Sequence, residues 1–352
     1  MSIIARYRRV REILLQYTVM TKHIKCLSLS GYDGPNRYGP HPMVALTAHA
    51  TTDLVAQLRS AVKQAAQQVG IVVGSLTVTS EPVAQGVLLT LHFKTPTPAL
   101  GAELVRLVVA GLNAQIDGDS TWDAEEVLWE LQQRRRREAL PLAVLQLLAE
   151  AATRRLPAFV LHGRLQIGYG CNGWSLPLTE LTGQPAMHGS GPFAPASRVP
   201  PWEQIGTIPI VALVGGDLAD HTARLVADAI GTTALVSAGF DATRQHLCEP
   251  QTEVAVMSLA EDDLAMRGVP FDRCRAAAIL ALPAGRPAAI AARIAGVVTL
   301  LTDPAGVVVL AGHDPAIAAL MPYPRCRVES LGVLADEQLV QQVAILLRHA
   351  VV

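Results

Sequence analysis

Helix-type and strand-type hydrophobic patterns interleave in the first part of the chain, from about residue 22 to residue 118. The stretch TTDLVAQLRSAVKQAAQQVGI has helical spacing, and Thr52 or Asp53 can cap its start. The apolar residues that share one face of this predicted helix are Leu54, Leu58, Ala61, Val62 and Ala65. Short strand-like runs lie on either side of it, so the sequence predicts a small α+β sandwich.

The last part of the chain, about 205–352, carries a different pattern. Continuous apolar runs such as TIPIVALVG, EVAVMSL, RAAAILAL and GVVVLAG alternate with amphipathic helical segments. Apolar strands separated by helices are typical of a parallel sheet that is covered on both faces. The fold class predicted for the whole chain is therefore α/β, with an N-terminal α+β domain followed by a mostly parallel sheet covered by helices.

The segments between these two parts complete the predicted organisation. Residues 120–180 read as helices followed by two short strands with glycine turns, and residues 181–204 are rich in Gly, Pro and Ser, as in a linker. Residues 1–22 are basic without a clear signal peptide, and we interpret them as an N-terminal tail. The predicted domains are thus 23–180 and 205–352, joined by the linker 181–204.

Composition narrows the classes of function. The chain has 352 residues, of which 50% are hydrophobic and 17% charged, with a formal net charge of −1, so neither disorder nor nucleic-acid binding is indicated. We find no apolar run of about 18 residues and predict no membrane span. The five cysteines are scattered without zinc-type spacing, which favours buried, reduced thiols and a cytoplasmic protein. We predict no metal site and no resident cofactor.

One stretch has the outline of a phosphate-binding loop. Residues 211–233, VALVGGDLADHTARLVADAIGTT, read as a buried strand, a turn at Gly215 and Gly216, and an amphipathic helix. Ligands of parallel sheets bind at the carboxyl ends of the strands, where this turn would lie. The outline predicts a nucleotide site by its shape, although the stretch 215–221 contains no lysine.

The order of segments resembles a shortened cyanophycin synthetase, a relative of the Mur ligases. GPNRYGPHP resembles that family's G-P-N-x-Y, RLQIGYG resembles its L-V-Q-L-G-Y-G, and GVVVLAGHDPAIAAL resembles its G-x-x-V-L-N-A-D-D-P-x-V-A-x-L. The most specific string is RGVPFDRC, similar to R-G-L-x-F-D-R-C. The resemblance covers most of residues 23–330. The family's ATP-grasp domain and its C-terminal ligase domain have no counterpart, and the predicted linker stands in place of the former.

The resemblance implies a nucleotide loop of the form G-T-N-G-K-T-T, in which Lys reaches the phosphates and Thr ligates Mg²⁺. The aligned positions here are Gly215, Gly216, Asp217, Leu218, Ala219, Asp220 and His221, so Ala219 replaces Lys and Asp220 replaces Thr. The family's E-T-A-R-G-G aligns with residues 258–263, where Ser258 replaces the Mg²⁺-binding Glu, and Ala311 replaces an Asn expected near the base. An H-x-x-E-H metal helix of some relatives is replaced by Leu54, Gln57 and Leu58.

These replacements predict a non-catalytic protein that acts as a binding or partner subunit. A full-length ligase of the same family, or a second copy of this chain, is the expected partner. The alternative is an ATP-dependent amino-acid or peptide ligase with residual or partner-dependent activity, for which ATP and Mg²⁺ would be needed. Phosphoryl transfer depends on electrostatic positioning, so replacing a cation and adding acids weighs against that alternative.

A few other groups remain open. Asp217, Asp220 and His221 are either an acid/base or metal cluster or a solvated helix N-terminus. The acids at 261–263 are either a cation site or a solvated turn, and the arginines at 134–137 either contact an acidic partner or form a solvated face. His162 and His313 have no visible partner in the sequence, and we expect structural roles for both.

Overall fold

The structure is a computed structural model that describes residues 24–119, 121–181, 199–283, 285–311, 314–320, 325–332 and 334–351. The predicted tail and most of the predicted linker lie outside the described residues, as does His313. The chain forms two compact units. The first contains residues 24–29 and 44–135, and the second contains residues 30–43 and the described residues from 136 onward.

The first unit is built on a four-stranded sheet with the order β1-β2-β4-β3. These strands are β1 (Lys25–Tyr32), β2 (Met43–Ala50), β3 (Gly74–Val83) and β4 (Gly86–Lys94). Helices α1 (Val55–Val69) and α2 (Pro98–Asp117) bury their apolar faces in the same core as these strands, and α3 (Glu125–Glu138) follows. The predicted apolar face of α1 is confirmed at Leu58, Val62 and Ala65, and Asp53 Oδ1 accepts a hydrogen bond from the Val55 N–H at the helix start.

Helix α2 corrects one expectation. It has 20 residues and is long and apolar enough to cross a membrane by length and composition, whereas the sequence reading found no such run. About 56% of its apolar window is buried, and its buried residues include Leu100, Leu104 and Val105. A core helix passes the same test, and the packing of α2 in the core of the first unit is that of a core helix.

The second unit contains a six-stranded parallel sheet with the order β13-β12-β11-β8-β10-β9. The strands are β8 (Ile210–Val214), β9 (Ala234–Ala238), β10 (Ala255–Leu259), β11 (Cys274–Ile279), β12 (Thr302–Ala311) and β13 (Arg327–Leu331). Every residue of β8 and β10 is buried, as expected for strands covered on both faces. Strand β8 lies between β10 and β11, so the strand order reverses at the strand that precedes Gly215.

Apolar residues cover both faces of this sheet. One core cluster includes Ala219, Ala223 and Val226 of α6 and Leu339 and Val343 of α12, and the other includes Leu264, Val298 and Ile317. The covering helices are α6 (Gly216–Ile230), α7 (Phe240–His246), α8 (Glu261–Met266), α9 (Ala288–Ala295), α10 (Val297–Leu301), α11 (Pro315–Ala318) and α12 (Asp336–Val351). Asp314 caps the start of α11, because its side chain accepts a hydrogen bond from the Ala316 N–H.

A three-stranded antiparallel sheet precedes the parallel sheet. Its strands are β5 (Ala158–Leu161), β6 (Arg164–Ile167) and β7 (Trp174–Pro177), flanked by α4 (Leu142–Thr153) and α5 (Leu178–Leu181). The sequence predicted two strands here, and the third is β7, which pairs with β6 after a short 3-10 turn at Gly170–Asn172. A four-residue strand that follows two glycines is too short to show an alternating pattern.

Candidate functional site

The turn that resembles a phosphate-binding loop is formed by two adjacent glycines with positive φ, Gly215 at 141° and Gly216 at 54°. Strand β8 ends at Val214, helix α6 begins at Gly216, and Gly215 between them has φ 141°. A Cβ on Gly215 would lie 2.7 Å from the amide nitrogen of Ala281, so the close approach of the chain after β11 requires glycine here. The chain therefore passes directly from strand to helix.

The predicted loop residues lie in different environments. Gly216 and Asp217 are exposed in the first turn of α6, whereas Ala219 has 0% exposure. The Ala219 side chain belongs to the apolar layer that packs α6 against the sheet, together with Ala223 and Val226. The position that the resemblance assigns to the phosphate-binding lysine thus lies within the apolar core of the second unit.

The Asp220 carboxylate is held by two serine hydroxyls. Its Oδ1 accepts hydrogen bonds from Ser258 Oγ and from Ser237 Oγ, the latter at 2.7 Å. The Ser237 N–H in turn donates to Ser258 Oγ at 2.7 Å. Ser258 is 1% exposed and lies at the carboxyl end of β10, in register with Leu213 of β8. These three residues therefore form a hydrogen-bonded group at the carboxyl ends of β8, β9 and β10.

Asp220, Ser237 and Ser258 form hydrogen bonds with one another. By the resemblance, positions 220 and 258 would supply a hydroxyl and a carboxylate that both ligate Mg²⁺. Here the helix carries the carboxylate and the strand carries the hydroxyl, and the two side chains bind each other. The residues at the turn do not fit Mg-ATP, since positions 215–221 carry no cation for the phosphates and two acids, Asp217 and Asp220. We derive no chemical step through ATP.

The possible cluster of Asp217, Asp220 and His221 is not brought together as a site. Asp220 is directed to the two serines, whereas His221 lines an open groove of about 730 Å³ beside helix α12. Leu334, Glu337, Gln338 and Gln341 line the same groove. Among the described residues, no group of three or more His, Cys, Asp or Glu side chains could hold a metal ion.

The acidic segment at 261–263 is part of a short helix. Asp262 is fully exposed with Arg286 Nη2 3.9 Å from its Oδ1, whereas Asp263 Oδ2 accepts a hydrogen bond of 2.8 Å from the Phe240 N–H. Asp263 thereby caps the start of α7, a structural role that sequence reasoning missed. The interpretation of 261–263 as a solvated turn is correct for Asp262 and wrong for Asp263.

A second group of residues joins the strings that carry the resemblance. Arg267, from RGVPFDRC, forms hydrogen bonds of 2.8 Å with Asp33 Oδ2 and of 2.8 and 2.9 Å with the two carboxylate oxygens of Asp241. The hydrogen bonds from Arg267 lower the pKa of Asp241. The residue after Asp33 begins the GPNRY string, so this ion pair ties that string to RGVPFDRC. We call this group, which comprises residues 33–35, Tyr169, Asp241, Arg244 and residues 267–272, the motif junction.

Backbone contacts make the motif junction close-fitting. The Val269 N–H donates to the Pro35 carbonyl at 2.7 Å, and the Asp33 N–H donates to the Arg267 carbonyl at 3.0 Å. A Cβ on Gly34 would lie 2.0 Å from the Val269 carbonyl oxygen, and a Cβ on Gly268 would lie 2.4 Å from that of Pro35. Both glycines are therefore needed for the two backbones to meet.

The third string joins through a buried tyrosine. The Tyr169 hydroxyl, from RLQIGYG, donates to Asp272 Oδ1 at 2.5 Å. Burial raises the pKa of Tyr169, and the nearby Asp272 carboxylate raises it further, so the phenol keeps its proton. Gly170 in the same string has φ 56°, and its N–H donates to the Leu247 carbonyl at 2.8 Å. The glycines of this string thus serve packing.

Arg244 lies at the centre of the motif junction. Its guanidinium stacks on the rings of Phe159 and Phe240 at 4.7 and 4.5 Å and donates to the carbonyls of Asp33 and Pro270. Burial lowers the pKa of Arg244, although the group stays charged at neutral pH. Neither Arg244 nor Asp33 lies within a quoted string, so no sequence signal pointed to this arrangement.

The remaining candidate residues have ordinary surroundings. Arg134 pairs with Glu103, the arginines at 135–137 are exposed, and His162 with φ 47° occupies the hairpin turn between β5 and β6. Only one of the five cysteines, Cys274, is buried, and burial raises its pKa to about 12. Cys26 and Cys171 are exposed, so the expectation of five buried thiols is wrong; residues of strand edges and turns need not face a core.

Comparison with known proteins gives one extensive match and several partial ones. A family model described as "Domain of unknown function (DUF4938)" matches residues 23–324. No curated protein sequence matches the chain. MurF from Acinetobacter baumannii is similar at 15% identity and a TM-score of 0.28, over 35% of this chain and 30% of that one.

The UDP-N-acetylmuramoylalanyl-D-glutamyl-2,6-diaminopimelate--D-alanyl-D-alanyl ligase from Acinetobacter baumannii is similar at 14% identity and a TM-score of 0.26, with the same coverage. The matched part spans about 30% of the length of each ligase structure. Similarity this weak carries no argument about activity, which has to come from the residues of this chain.

Proposed function

The chain belongs to the DUF4938 family, and from this premise we propose that it is a non-catalytic relative of the cyanophycin synthetases and Mur ligases. In this proposal the protein is cytoplasmic and acts as a binding or partner subunit. Its partner is a full-length ligase of the same family or a second copy of the chain, and neither nucleic acid nor a membrane is involved.

The observation that carries the proposal is the pairing of Asp220 with Ser258. The two positions still meet at the carboxyl ends of the central strands, as a Mg²⁺-binding pair would, but the carboxylate and the hydroxyl have exchanged places and bind each other. The second hydroxyl, from Ser237, further satisfies the carboxylate. A magnesium ion would have to break these hydrogen bonds, and the turn supplies no cation to hold the phosphates.

Ala219 supports the same conclusion by a different route. A lysine at a nucleotide loop must extend to the phosphates, but the side chain at position 219 points into the apolar layer between α6 and the sheet. The contrast with the motif junction supports a retained role for the fold itself, because that region keeps charged residues with specific partners. A scaffold that binds another protein needs such a stable fold and no nucleotide chemistry.

The first experiment is calorimetric titration of the full chain with Mg-ATP, followed by affinity purification of the tagged protein from its own cells. We expect no heat of binding with Mg-ATP and co-purification of either a ligase of this family or untagged copies of the chain. Micromolar binding of Mg-ATP with turnover would contradict the proposal and favour the alternative, a ligase with residual activity.

A reaction that combines the chain with its partner tests the version of that alternative in which ligase activity depends on the partner. The purified chain is combined with the ligase that it captures, and ATP consumption is measured with and without the Asp220→Ala variant. In our proposal the variant has no effect on ATP turnover by the mixture. A large loss of turnover would show that the chain contributes its own site to the reaction.

A further inference from the structure

Two buried polar atoms of residues 30–43 have no hydrogen-bond partner in the part of the chain that the structure describes. Tyr32 is 1% exposed, and its hydroxyl oxygen makes no hydrogen bond. The Nε of Arg37, five residues later, is likewise buried and unpaired. A buried polar group without a partner destabilises the folded state, so two such groups in one short segment call for an explanation.

The surroundings of Tyr32 contain several donors. The Tyr32 ring lies 6.1 Å from that of Tyr38, and the Arg37 guanidinium stacks on Tyr38 at 4.9 Å, so the three side chains form one cluster. The Ser30 hydroxyl lies beside the Tyr32 phenol, but its own hydrogen bond is a long one of 3.8 Å to the sulfur of Met266. The Tyr32 hydroxyl, with Ser30 as its neighbour, and the Nε of Arg37 therefore lack an acceptor of normal geometry among the described residues.

A second guanidinium acts on the same phenol. Burial raises the pKa of Tyr32, so the hydroxyl stays protonated and able to donate, while Arg37 and Arg286 act on it as positive charges. Arg286 lies in the connection that follows β11, at the carboxyl end of the parallel sheet. Among the described residues, Arg286 forms one ion pair, the long contact of 3.9 Å to the fully exposed Asp262, which leaves its charge largely available.

We propose that Tyr32, Arg37 and Arg286 form a binding site for an oxyanion, the carboxylate or phosphate group of a small ligand. An oxyanion supplies the acceptors that the Tyr32 hydroxyl and Arg37 Nε lack, and its charge offsets two guanidinium groups. The site uses none of the residues of the turn after β8, so it is independent of the proposed loss of ATP chemistry.

The test is titration of the full chain with sodium phosphate and with sodium acetate at constant ionic strength, with sodium chloride as the reference anion. We expect one of the two anions to bind and to raise the melting temperature beyond the effect of chloride. Phosphate alone would identify a phosphate-bearing ligand, and acetate alone a carboxylate-bearing one. No effect beyond that of chloride with either anion would overturn the proposal.

The decisive variant is Tyr32→Phe, which removes a single oxygen atom and keeps the ring. It should weaken anion binding by about tenfold or more and leave the melting temperature without anion unchanged or higher, because an unpaired buried hydroxyl is lost. A hydroxyl that only holds the fold would instead lower the melting temperature equally with and without anion, which would contradict the proposal.

Two arginine variants complete the test. Arg37→Gln and Arg286→Gln should each weaken anion binding, whereas Arg293→Gln, which removes an exposed arginine of α9, is the matched control and should not. Because ATP carries phosphates, the Mg-ATP titration is repeated with Tyr32→Phe. ATP binding lost in this variant belongs to the oxyanion site, and ATP binding that persists belongs to the turn after β8 and contradicts the proposed function.

Discussion

The motif junction and the turn after β8 belong to the same unit and resemble the ligase family in different respects, the first in its residue types and the second in its backbone form. At the motif junction the charged side chains of Asp33, Asp241 and Arg267 are paired with each other, and the strings resemble the ligase family in their residues. At the turn, the strand, the glycine and the helix have the expected form, but the side chains at positions 219, 220 and 258 differ from the family's. Backbone shape is thus retained where the sheet needs it, independently of chemistry.

The largest loss of stability is expected from a substitution of Arg244, at the centre of the motif junction. Arg244→Ala removes two ring contacts and two hydrogen bonds to carbonyls, and we expect a loss of about 3 kcal/mol in the free energy of unfolding. Urea denaturation measures it. Arg224→Ala, at an exposed position of α6, is the control and should change stability by less than about 0.5 kcal/mol. Equal effects of the two variants would show that the junction contributes nothing.

A slightly smaller effect is expected from restoring the lysine at the turn. Ala219→Lys forces a long charged side chain into the apolar layer under α6, so we expect a loss of about 2 kcal/mol and no binding of Mg-ATP. Asp217→Lys places a lysine in the same helical turn at an exposed position and should cost less than about 1 kcal/mol. If Ala219→Lys bound Mg-ATP without loss of stability, our account of the turn would be wrong.

The Asp220 network is expected to contribute about 1 kcal/mol. Ser258→Ala removes one donor to the carboxylate and the acceptor of the Ser237 N–H, so stability should fall by roughly that amount. Ser237→Ala, at the exposed end of the network, should have a smaller effect. Titration of Ser258→Ala with Mg²⁺ then sharpens the comparison, since binding that appears only in this variant would show that the network blocks a metal position.

The smallest expected effect is on the pH dependence of the free energy of unfolding. The hydrogen bonds from Arg267 lower the pKa of Asp241 below its unfolded value, so this pair stabilises the fold above about pH 4 and loses its contribution as pH falls through the lowered pKa. Asp241→Asn should therefore be less stable than the unchanged protein at pH 7, and the difference should shrink as pH falls below about 4. Because Asp241 is about half exposed, the difference should stay below about 1 kcal/mol. Asp228→Asn, at an exposed position of α6, is measured alongside as the control.

The sequence predicted the regular elements well because their hydrophobic periods are strong. The six strands of the parallel sheet, the apolar face of α1 and the strand, turn and helix around Gly215 all have clear patterns, and the structure confirms them. The strings GPNRY, RLQIGYG and RGVPFDRC were also visible. The contacts between these strings were not visible, because neither hydrophobic periodicity nor a short motif identifies which distant residue a side chain contacts.

The missed features share one physical cause. Arg244, Asp33 and Asp263 act through contacts with distant carbonyls, rings and N–H groups, so each looks like an ordinary surface residue in the sequence. In the sequence, Asp220 and Ser258 stood out only as two separate departures from the resemblance, and the structure shows that the carboxylate and the hydroxyl bind each other. A sequence can show that a residue type is lost, whereas the contact shows what the remaining side chains do.

The membership of residues 30–43 in the second unit has a consequence for how the protein is made. Asp33 and Arg267 are 234 positions apart, and the residues of 44–135 between them fold into the other unit. At usual rates of translation, the segment around Asp33 leaves the ribosome on the order of ten seconds or more before Arg267 does. The second unit can complete its fold only after Arg267 has left the ribosome, and until then the segment around Asp33 lacks this contact.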